Sequence, residues 1–299
     1  MKLKISDKSL GALIAIAGIV MFSAKAVMVK LGYRYEVDTV TLLLLRMIFA
    51  LPFYLIVAHS ETRKKNSYQA SGKDILSVSG LGVMGYYLAS FFDFYGLQFI
   101  TASLERLILF VYPTLVIIIS AIVLKKKATK IQIIAILITY FGIFIAFADD
   151  LGFAGEKLWL GVISIFLSAF TYAIYLVGSG AMIPKLGPIR FTAYVMTVSC
   201  LMVMLHYLVT NSFEVLHQPW EVYALGFAMA TVSTVIPSFL ISEAIKRLGA
   251  SNFAIYGSLG PISTILLAII LLGERIDFYQ IIGTIVVIFG VSIINIKKG

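Results

Sequence analysis

The chain has few charged residues and no long polar segment. Only 13% of its 299 residues are Asp, Glu, Lys or Arg, whereas 60% are hydrophobic, and the mean hydropathy is +0.99. Soluble globular domains contain about 25% charged residues, so this composition excludes that class. The chain is also too long to be a single membrane anchor. The composition therefore predicts a protein that crosses the bilayer several times.

Residues and motifs that support catalysis are scarce. The three histidines are scattered, and the sequence contains neither H-E-x-x-H nor G-x-S-x-G. It also lacks the G-x-x-x-x-G-K-[ST] phosphate loop of a nucleotide-driven pump. Cys200 is the single cysteine, so the chain cannot form an internal disulfide. These absences argue against an enzyme and a primary pump, and we expect neither a metal site nor a cofactor.

Ten apolar runs have the length of roughly 17 to 25 residues that spans a bilayer core of about 30 Å. They cover residues 10–29, 39–57, 75–99, 102–124, 131–148, 158–177, 191–209, 222–241, 253–272 and 278–296. The first run could instead belong to a signal peptide, but its apolar character resumes after Lys25. We therefore expect an all-α membrane protein with ten transmembrane helices.

The distribution of basic residues predicts the orientation. If the chain starts in the cytoplasm, the cytoplasmic side carries seventeen Lys and Arg residues and the opposite side only Arg34, Lys157 and Arg275. Cytoplasmic loops of membrane proteins are enriched in basic residues, so we expect both termini to lie in the cytoplasm. We expect the protein to lie in the inner membrane. The net charge of +9 then reports orientation in the membrane rather than binding of nucleic acid.

The two halves of the chain resemble each other at an offset of 148 residues. Without a gap, this shift aligns Ala102 with Ala250, Pro113 with Pro261, Gln132 with Gln280 and Gly142 with Gly290. We expect two repeats, residues 1–149 and 150–299, each with five helices. Because five is odd, the second repeat enters the bilayer from the opposite face. Inverted repeats of this kind form midplane sites that open alternately to either side.

Three stretches carry a family resemblance: FSAKAVMVKLGYRYEVDTVTLLLLRMIFALP, FFDFYGLQFITASLERLILFVYP and LLGERIDFYQIIGTIVVIFGVSI. They resemble the EamA-type transporters of the drug/metabolite transporter superfamily. The resemblance implies ten helices in two repeats and movement of small organic molecules across bacterial inner membranes. One departure concerns the Gly273-Glu274 pair, since the first repeat has Lys125, Lys126 and Lys127 where it should recur.

Five charged residues fall within apolar runs, about 5 to 10 Å from the midplane on one side: Lys25, Arg46, Asp93, Glu105 and Arg106. Each would cost roughly 2.5 to 3.5 kcal/mol if left unpaired, so we expect them to pair or to line a wet cavity. Lys25 follows Gly11 and Gly18 at seven-residue spacing and should face the bundle interior. A short turn should bring Asp93 near Glu105 or Arg106, and we expect Asp93 and Arg106 to pair.

Two interpretations of this group remain open: a network that holds helices together, or the wall of a transport cavity. Glu105 and Arg106 align with Phe253 and Ala254, so the opposite wall should be less charged. The candidate substrate or coupling residues are Lys25, Arg46, Asp93, Glu105, Arg106, Tyr172, Tyr175, Asn252 and Tyr256. Pro113 and Pro261 are candidate gating residues, because proline inside a span favours a bend.

The sequence thus predicts a secondary transporter, an exporter or exchanger, that moves a small polar or amphipathic metabolite across the inner membrane by alternating access. Its expected partners are that small molecule, a proton as candidate coupling ion and the lipid bilayer, with no nucleic acid and with the oligomeric state open. The alternatives are a membrane protein that does not transport, such as a scramblase or receptor, and an intramembrane enzyme.

Overall fold

The computed structural model describes residues 7–63, 70–123, 130–146, 156–211, 217–249, 253, 256, 257 and 259–293. Within these residues the protein is all-helical and has no strand. The helices are α1 (Asp7–Tyr33), α2 (Thr39–Thr62), α3 (Gly72–Leu97), α4 (Ala102–Leu109), α5 (Tyr112–Val123), α6 (Lys130–Ala146), α7 (Glu156–Leu186), α8 (Pro188–Thr210), α9 (Trp220–Leu248), α10 (Leu259–Leu272) and α11 (Phe278–Ile293).

Short polar side chains set several helix starts by binding backbone N–H groups that have no partner within the helix. The Asp38 carboxylate accepts from the N–H groups of Val40 and Thr41 at 2.9 and 3.0 Å. Ser71 and Asp74 form a capping box at the start of α3. The Thr101 hydroxyl caps α4 by accepting from the Leu104 N–H at 3.2 Å.

The helices are long and apolar enough for a bilayer. Seven helical segments among the described residues have the length and composition to cross a membrane, and three shorter apolar helices cover Leu137–Ala146, Leu259–Leu272 and Phe278–Gly290. Large apolar side chains such as Leu76, Val209 and Ile270 are more than 70% exposed on the outside of the bundle. An outer surface of this kind suits lipid rather than water. Each of these ten apolar segments overlaps one of the ten runs of the sequence.

Two helices contain a π-helical segment, which the apolar pattern did not predict. The first covers Val83–Leu88 within α3 and the second Thr231–Val235 within α9. They start at the same 148-residue offset that relates Pro113 to Pro261. π-Helical turns occur preferentially at functional sites. In the first one Gly85 is required, because a Cβ there would collide with the Tyr175 ring.

The fourth apolar run is a broken helix rather than one continuous span. α4 ends at Leu109, a turn covers Phe110 and Val111, and α5 begins at Tyr112 with Pro113 in its first turn. Proline lacks an N–H and is tolerated in a first turn, where that group would have no helical partner. Pro261 likewise lies in the first turn of α10, just after the turn at Gly257. Both prolines thus lie in the first turn of a helix that follows a turn, and the bends expected at them stay predictions.

The packing places helices of one half against helices of the other. α1 packs along α9 and α10, and α7, which begins the second half, packs along α3 and α5. α2 packs against α8, and α6 against α11. Every described helix of the first half therefore has a major neighbour in the second half, including α4, which packs against α10 and α7. The centre of the bundle, where α1, α3, α4 and α7 meet, contains the charged residues.

Candidate functional site

Lys25 and Asp93 form an ion pair in the centre of the bundle. The Lys25 Nζ lies 2.6 Å from the Asp93 Oδ2, and the two residues are 3% and 0% exposed. Lys25 thus faces the interior, as the glycine spacing predicted. The expected direct pair between Asp93 and Arg106 was wrong, because α1 brings Lys25 closer to Asp93 than the turn between α3 and α4 brings Arg106.

Glu105 and Arg106 complete what we call the charge cluster, which consists of Lys25, Asp93, Glu105 and Arg106. The Arg106 Nε lies 3.8 Å from the Glu105 Oε2 and donates a 2.9 Å hydrogen bond to the Thr264 hydroxyl of α10. Asp93 and Glu105 interact with each other, and both interact with Lys25 and Arg106. The turn did therefore bring Asp93 near both residues of α4, as expected.

Arg46 lies beside the charge cluster and is fully buried. Its Nη2 donates to the Ser90 hydroxyl at 3.3 Å, and its guanidinium lies 5.3 Å from the centre of the Phe94 ring. Its Nε and Nη1 have no hydrogen-bond partner among the described residues. Arg46 also lacks an ion pair in that part of the chain, so three buried cations face only two carboxyl groups. A buried group left without a partner is costly and is a functional candidate.

Aromatic side chains surround the cluster on the side of the second half. Phe22 stacks with Tyr172 at 6.4 Å between ring centres, and both Lys25 and Arg106 lie within 6 Å of the Phe22 ring. Tyr172 in turn contacts Tyr112 and Tyr175. Of the two predicted tyrosines, Tyr172 therefore lies next to the cluster, whereas Tyr175 packs on Tyr172 and is not among the described residues that line the central cavities.

Two small cavities lie next to the cluster, one on each side of the Phe22–Tyr172 pair. The larger, about 30 Å³, is lined by Ile19, Phe22, Arg106, Leu109, Phe110, Tyr112, Tyr172, Ile241, Phe253, Gly257 and Gly260. The smaller, about 20 Å³, contains Lys25, Tyr86 and Ser90 in its wall. Phe22, Leu109 and Tyr172 line both cavities. The larger cavity therefore lies between the two halves of the chain, at the breaks next to α5 and α10.

Glu274 holds α4 in place from the other half of the chain. Its carboxylate accepts hydrogen bonds from the Ala102 N–H at 2.8 Å, the Ser103 N–H at 3.1 Å and the Ser103 hydroxyl at 2.6 Å. A carboxylate at a helix N-terminus is stabilised by the unpaired N–H groups and the helix dipole. The Gly273-Glu274 pair thus joins the second half to the short helix that carries Glu105 and Arg106.

A wide cavity of about 650 Å³ opens to solvent beside this contact and is lined by Lys30, Tyr33, Arg34, Glu36, Val37, Asp38, Gln98, Thr101, Leu272 and Glu274. Basic side chains at and just after the end of α1 bind carbonyls at or near helix ends here. Lys30 donates to the carbonyls of Leu97 and Ile100, and Arg34 donates to that of Leu272. The end of the bundle next to the charge cluster is therefore tied together by contacts to helix ends.

Not every predicted residue lies at the centre. Tyr256 is half-buried against the core but is not among the described residues that line either central cavity. Phe253, three residues earlier, lines the larger cavity instead. Asn252 lies outside the described residues. The sequence did not predict the roles of Phe22 and Thr264 or the capping role of Glu274. Only the Gly273-Glu274 motif offered a signal, since Phe22 and Thr264 look like ordinary residues of apolar helices.

Comparison with known proteins places the chain in a family. It matches the EamA-like transporter family twice, over residues 9–148 and 159–296. An uncharacterized transporter of Bacillus subtilis strain 168, YcbK, is 30% identical over 299 residues, which cover 99% of this chain and 96% of that protein. An uncharacterized transporter of Archaeoglobus fulgidus is 23% identical over 280 residues, which cover 93% of this chain and 94% of that protein.

A solved crystal structure has the same fold, with a TM-score of 0.69 at 15% sequence identity over 96% of each chain. The family match extends over most of the sequence, and the apolar helices have the lengths that a bilayer requires. This chain therefore belongs to the EamA-like transporter family of the drug/metabolite transporter superfamily and is a multi-pass membrane protein.

Proposed function

We propose that the protein is a secondary transporter that exports or exchanges a small polar or amphipathic metabolite by alternating access. The observation that carries the proposal is the larger central cavity, which lies between the two halves at the breaks beside α5 and α10. Discontinuous helices near the midplane form the substrate sites of many secondary transporters. The substrate binds there, between Arg106 and Tyr172, which line the cavity. The other charged candidates and Tyr175 act on it from beside the cavity.

The two halves, residues 1–149 and 150–299, act as inverted repeats that move against each other. Three features support this division: the aligned prolines, the π-helical segments at the same offset, and the reciprocal packing of α1 on α9 and α10 and of α7 on α3 and α5. Pro113 and Pro261 mark the bends at which the broken helices change angle. With seventeen basic residues on one side, we place both termini in the cytoplasm and the protein in the inner membrane.

The charge cluster is also our candidate site for a coupling proton. Asp93 and Glu105 interact within the buried centre, where Lys25 faces them from α1, Arg46 from α2 and Arg106 from α4. Two neighbouring carboxyl groups can hold one proton between them, because two adjacent buried negative charges repel each other. Release of Lys25 from Asp93 would then let proton binding alternate with substrate binding.

In this scheme Glu274 holds the start of α4 and thereby closes the larger central cavity on the extracytoplasmic side. Replacing Glu274 by Gln removes the negative charge from the start of α4 and should lower stability by about 0.5 to 2 kcal/mol. It should also raise the labelling rate of a cysteine placed at Leu104, which is 2% exposed in the parent, in a Cys200→Ala background. Thermal unfolding in detergent and maleimide labelling measure the two effects.

Glu221→Gln is the matched control, because Glu221 also lies in the first turn of a helix, α9, whose start is not one of the main packing neighbours of α4. It should leave labelling at residue 104 unchanged. If Glu274→Gln lost stability without any increase in labelling, Glu274 would be a structural cap and no part of a gate.

The transport proposal is tested by reconstitution into liposomes. Vesicles are loaded with one unlabelled compound, and uptake of the same compound in labelled form is measured. The compounds tested are amino acids, sugars, nucleotides, organic acids and organic cations. We expect saturable counterflow for one class and, if a proton is coupled, uptake that responds to an imposed pH gradient. Scrambling of labelled lipid without counterflow of any solute would favour the alternative of a membrane protein that does not transport.

A further inference from the structure

Among the described residues that line the larger central cavity, Arg106 is the single charged one, and the positive potential that it contributes indicates the charge of the ligand. Arg106 is 94% buried, lines the cavity and has an Nη2 atom without a hydrogen-bond partner among the described residues. Its Nε is already used by Thr264 and faces Glu105. The free Nη2 therefore offers one strong donor to whatever occupies the cavity.

The helix breaks add to this potential. α5 begins at Tyr112 and α10 at Leu259, and residues of both first turns, Tyr112 and Gly260, line the cavity. The N-terminus of a helix carries about half a positive charge. Both first turns contain a proline, which has no N–H, and the N–H groups of Thr114 and Gly260 already bind carbonyls just before each helix, so the two N-termini act here through their dipoles. Two helix N-termini and the Arg106 guanidinium thus converge on one small cavity.

The surrounding charges do not cancel this potential. Lys25, Arg46 and Arg106 supply three positive charges, whereas Asp93 and Glu105 supply at most two negative ones. Asp93 is engaged by Lys25 and Glu105 lies against Arg106 at 3.8 Å, so Arg46 is left as the surplus charge. An anion in the cavity would balance the buried site, whereas a cation would add a second surplus charge.

The other walls determine the shape of the ligand. Phe22, Tyr112, Tyr172 and Phe253 line the same cavity, and Phe22 and Tyr172 stack with their rings 13° from parallel. A cavity of about 30 Å³ holds a water molecule but no organic solute, so binding requires movement of a wall. Separation of the Phe22–Tyr172 pair would join the two central cavities and expose two aromatic faces to a flat ligand.

We propose that the central cavity binds a small organic anion, a carboxylate or phosphate on a flat apolar body. The Arg106 Nη2 binds the anionic group, the dipoles of α5 and α10 stabilise its negative charge, and Phe22 and Tyr172 stack on the body. This inference rests on the proposed transport function for its place in a transport cycle, but the binding site itself can be tested without transport.

Binding is measured by thermal stabilisation of the purified protein in detergent at constant ionic strength. The probes are benzoate, phenyl phosphate, benzamide, benzylamine and acetate, which separate charge, type of anion and ring. Benzoate or phenyl phosphate should raise the Tm, and the one that gives the larger shift identifies whether the site prefers a carboxylate or a phosphate. Benzamide, benzylamine and acetate should have little effect. A larger shift with benzylamine, equal shifts with all ring probes, or no shift with any probe would overturn the proposal.

Two variants locate the site. Arg106→Gln should weaken binding of the preferred anion about 10- to 100-fold, the effect of losing a charged hydrogen bond. Gly260→Ala tests the same cavity if Arg106→Gln does not fold, because its added Cβ would meet no atom closer than 3.7 Å. It should keep the fold yet weaken binding about 5-fold or more by filling space that the anion needs.

Arg34→Gln and Gly80→Ala are the matched controls, since Arg34 lies in the wide outer cavity and a Cβ at Gly80 would meet open space. Both should bind the anion like the parent, and weakening by either would overturn the assignment. Selective anion binding without counterflow of any solute would contradict the transport function but keep the site. Counterflow of cations alone would keep the transporter and contradict the anion site.

Discussion

Replacing Asp93 by Asn should lower the free energy of unfolding by about 3 to 5 kcal/mol, because it leaves the Lys25 ammonium buried without its partner. The Lys25 Nζ and Asp93 Oδ2 are 2.6 Å apart, and both residues are at most 3% exposed. Lys25→Met should be destabilising for the same reason, since it strands Asp93. The Lys25→Met/Asp93→Asn double variant should recover much of the loss, as measured by unfolding of the purified protein in detergent.

The Asp93→Asn/Arg106→Gln double variant is the matched control for that experiment. If Asp93 pairs with Lys25, the coupling energy of the Lys25–Asp93 cycle exceeds that of the Asp93–Arg106 cycle. A larger Asp93–Arg106 coupling would contradict the structure. Flux of the solute found by counterflow then separates the two interpretations of the cluster: a stable but inactive Lys25→Met/Asp93→Asn variant indicates a transport role, and full recovery of flux indicates a structural one.

Arg46→Met should move stability and transport in opposite directions. The Arg46 guanidinium is fully buried, and its Nε and Nη1 have no partner among the described residues. A Met side chain of similar length removes this unpaired charge, so the free energy of unfolding should rise by about 1 to 3 kcal/mol. We expect flux to fall at least about 10-fold, because the surplus positive charge that balances the substrate anion is lost.

Arg46→Lys is the charge-preserving control, and it should keep more flux than Arg46→Met. A less stable Arg46→Met variant would make Arg46 a structural residue, held by the Ser90 hydroxyl and the Phe94 ring. A variant that is more stable and equally active would remove Arg46 from the transport site. Thermal unfolding and counterflow of the same preparation distinguish these results.

The sequence identified most of the candidate site but not its pairing. The seven-residue spacing of Gly11, Gly18 and Lys25 correctly predicted an inward lysine, because such a spacing keeps residues on one helix face. It did not predict that Asp93 pairs with Lys25 rather than Arg106. The short turn after α3 makes Arg106 a neighbour in sequence, whereas the approach of α1 to α3 is a property of the packed bundle.

The apolar runs and the distribution of charge by themselves determined a multi-pass helical protein, because a bilayer constrains the length and polarity of every segment that crosses it. The 148-residue offset likewise paired the prolines that lie in the first turns of α5 and α10. Only the tertiary structure decided that Glu274 caps α4, that Thr264 binds Arg106, and that Phe22 separates two cavities. Those contacts join residues far apart in sequence, and their geometry depends on how α1, α4 and α10 pack, which helical periodicity does not specify.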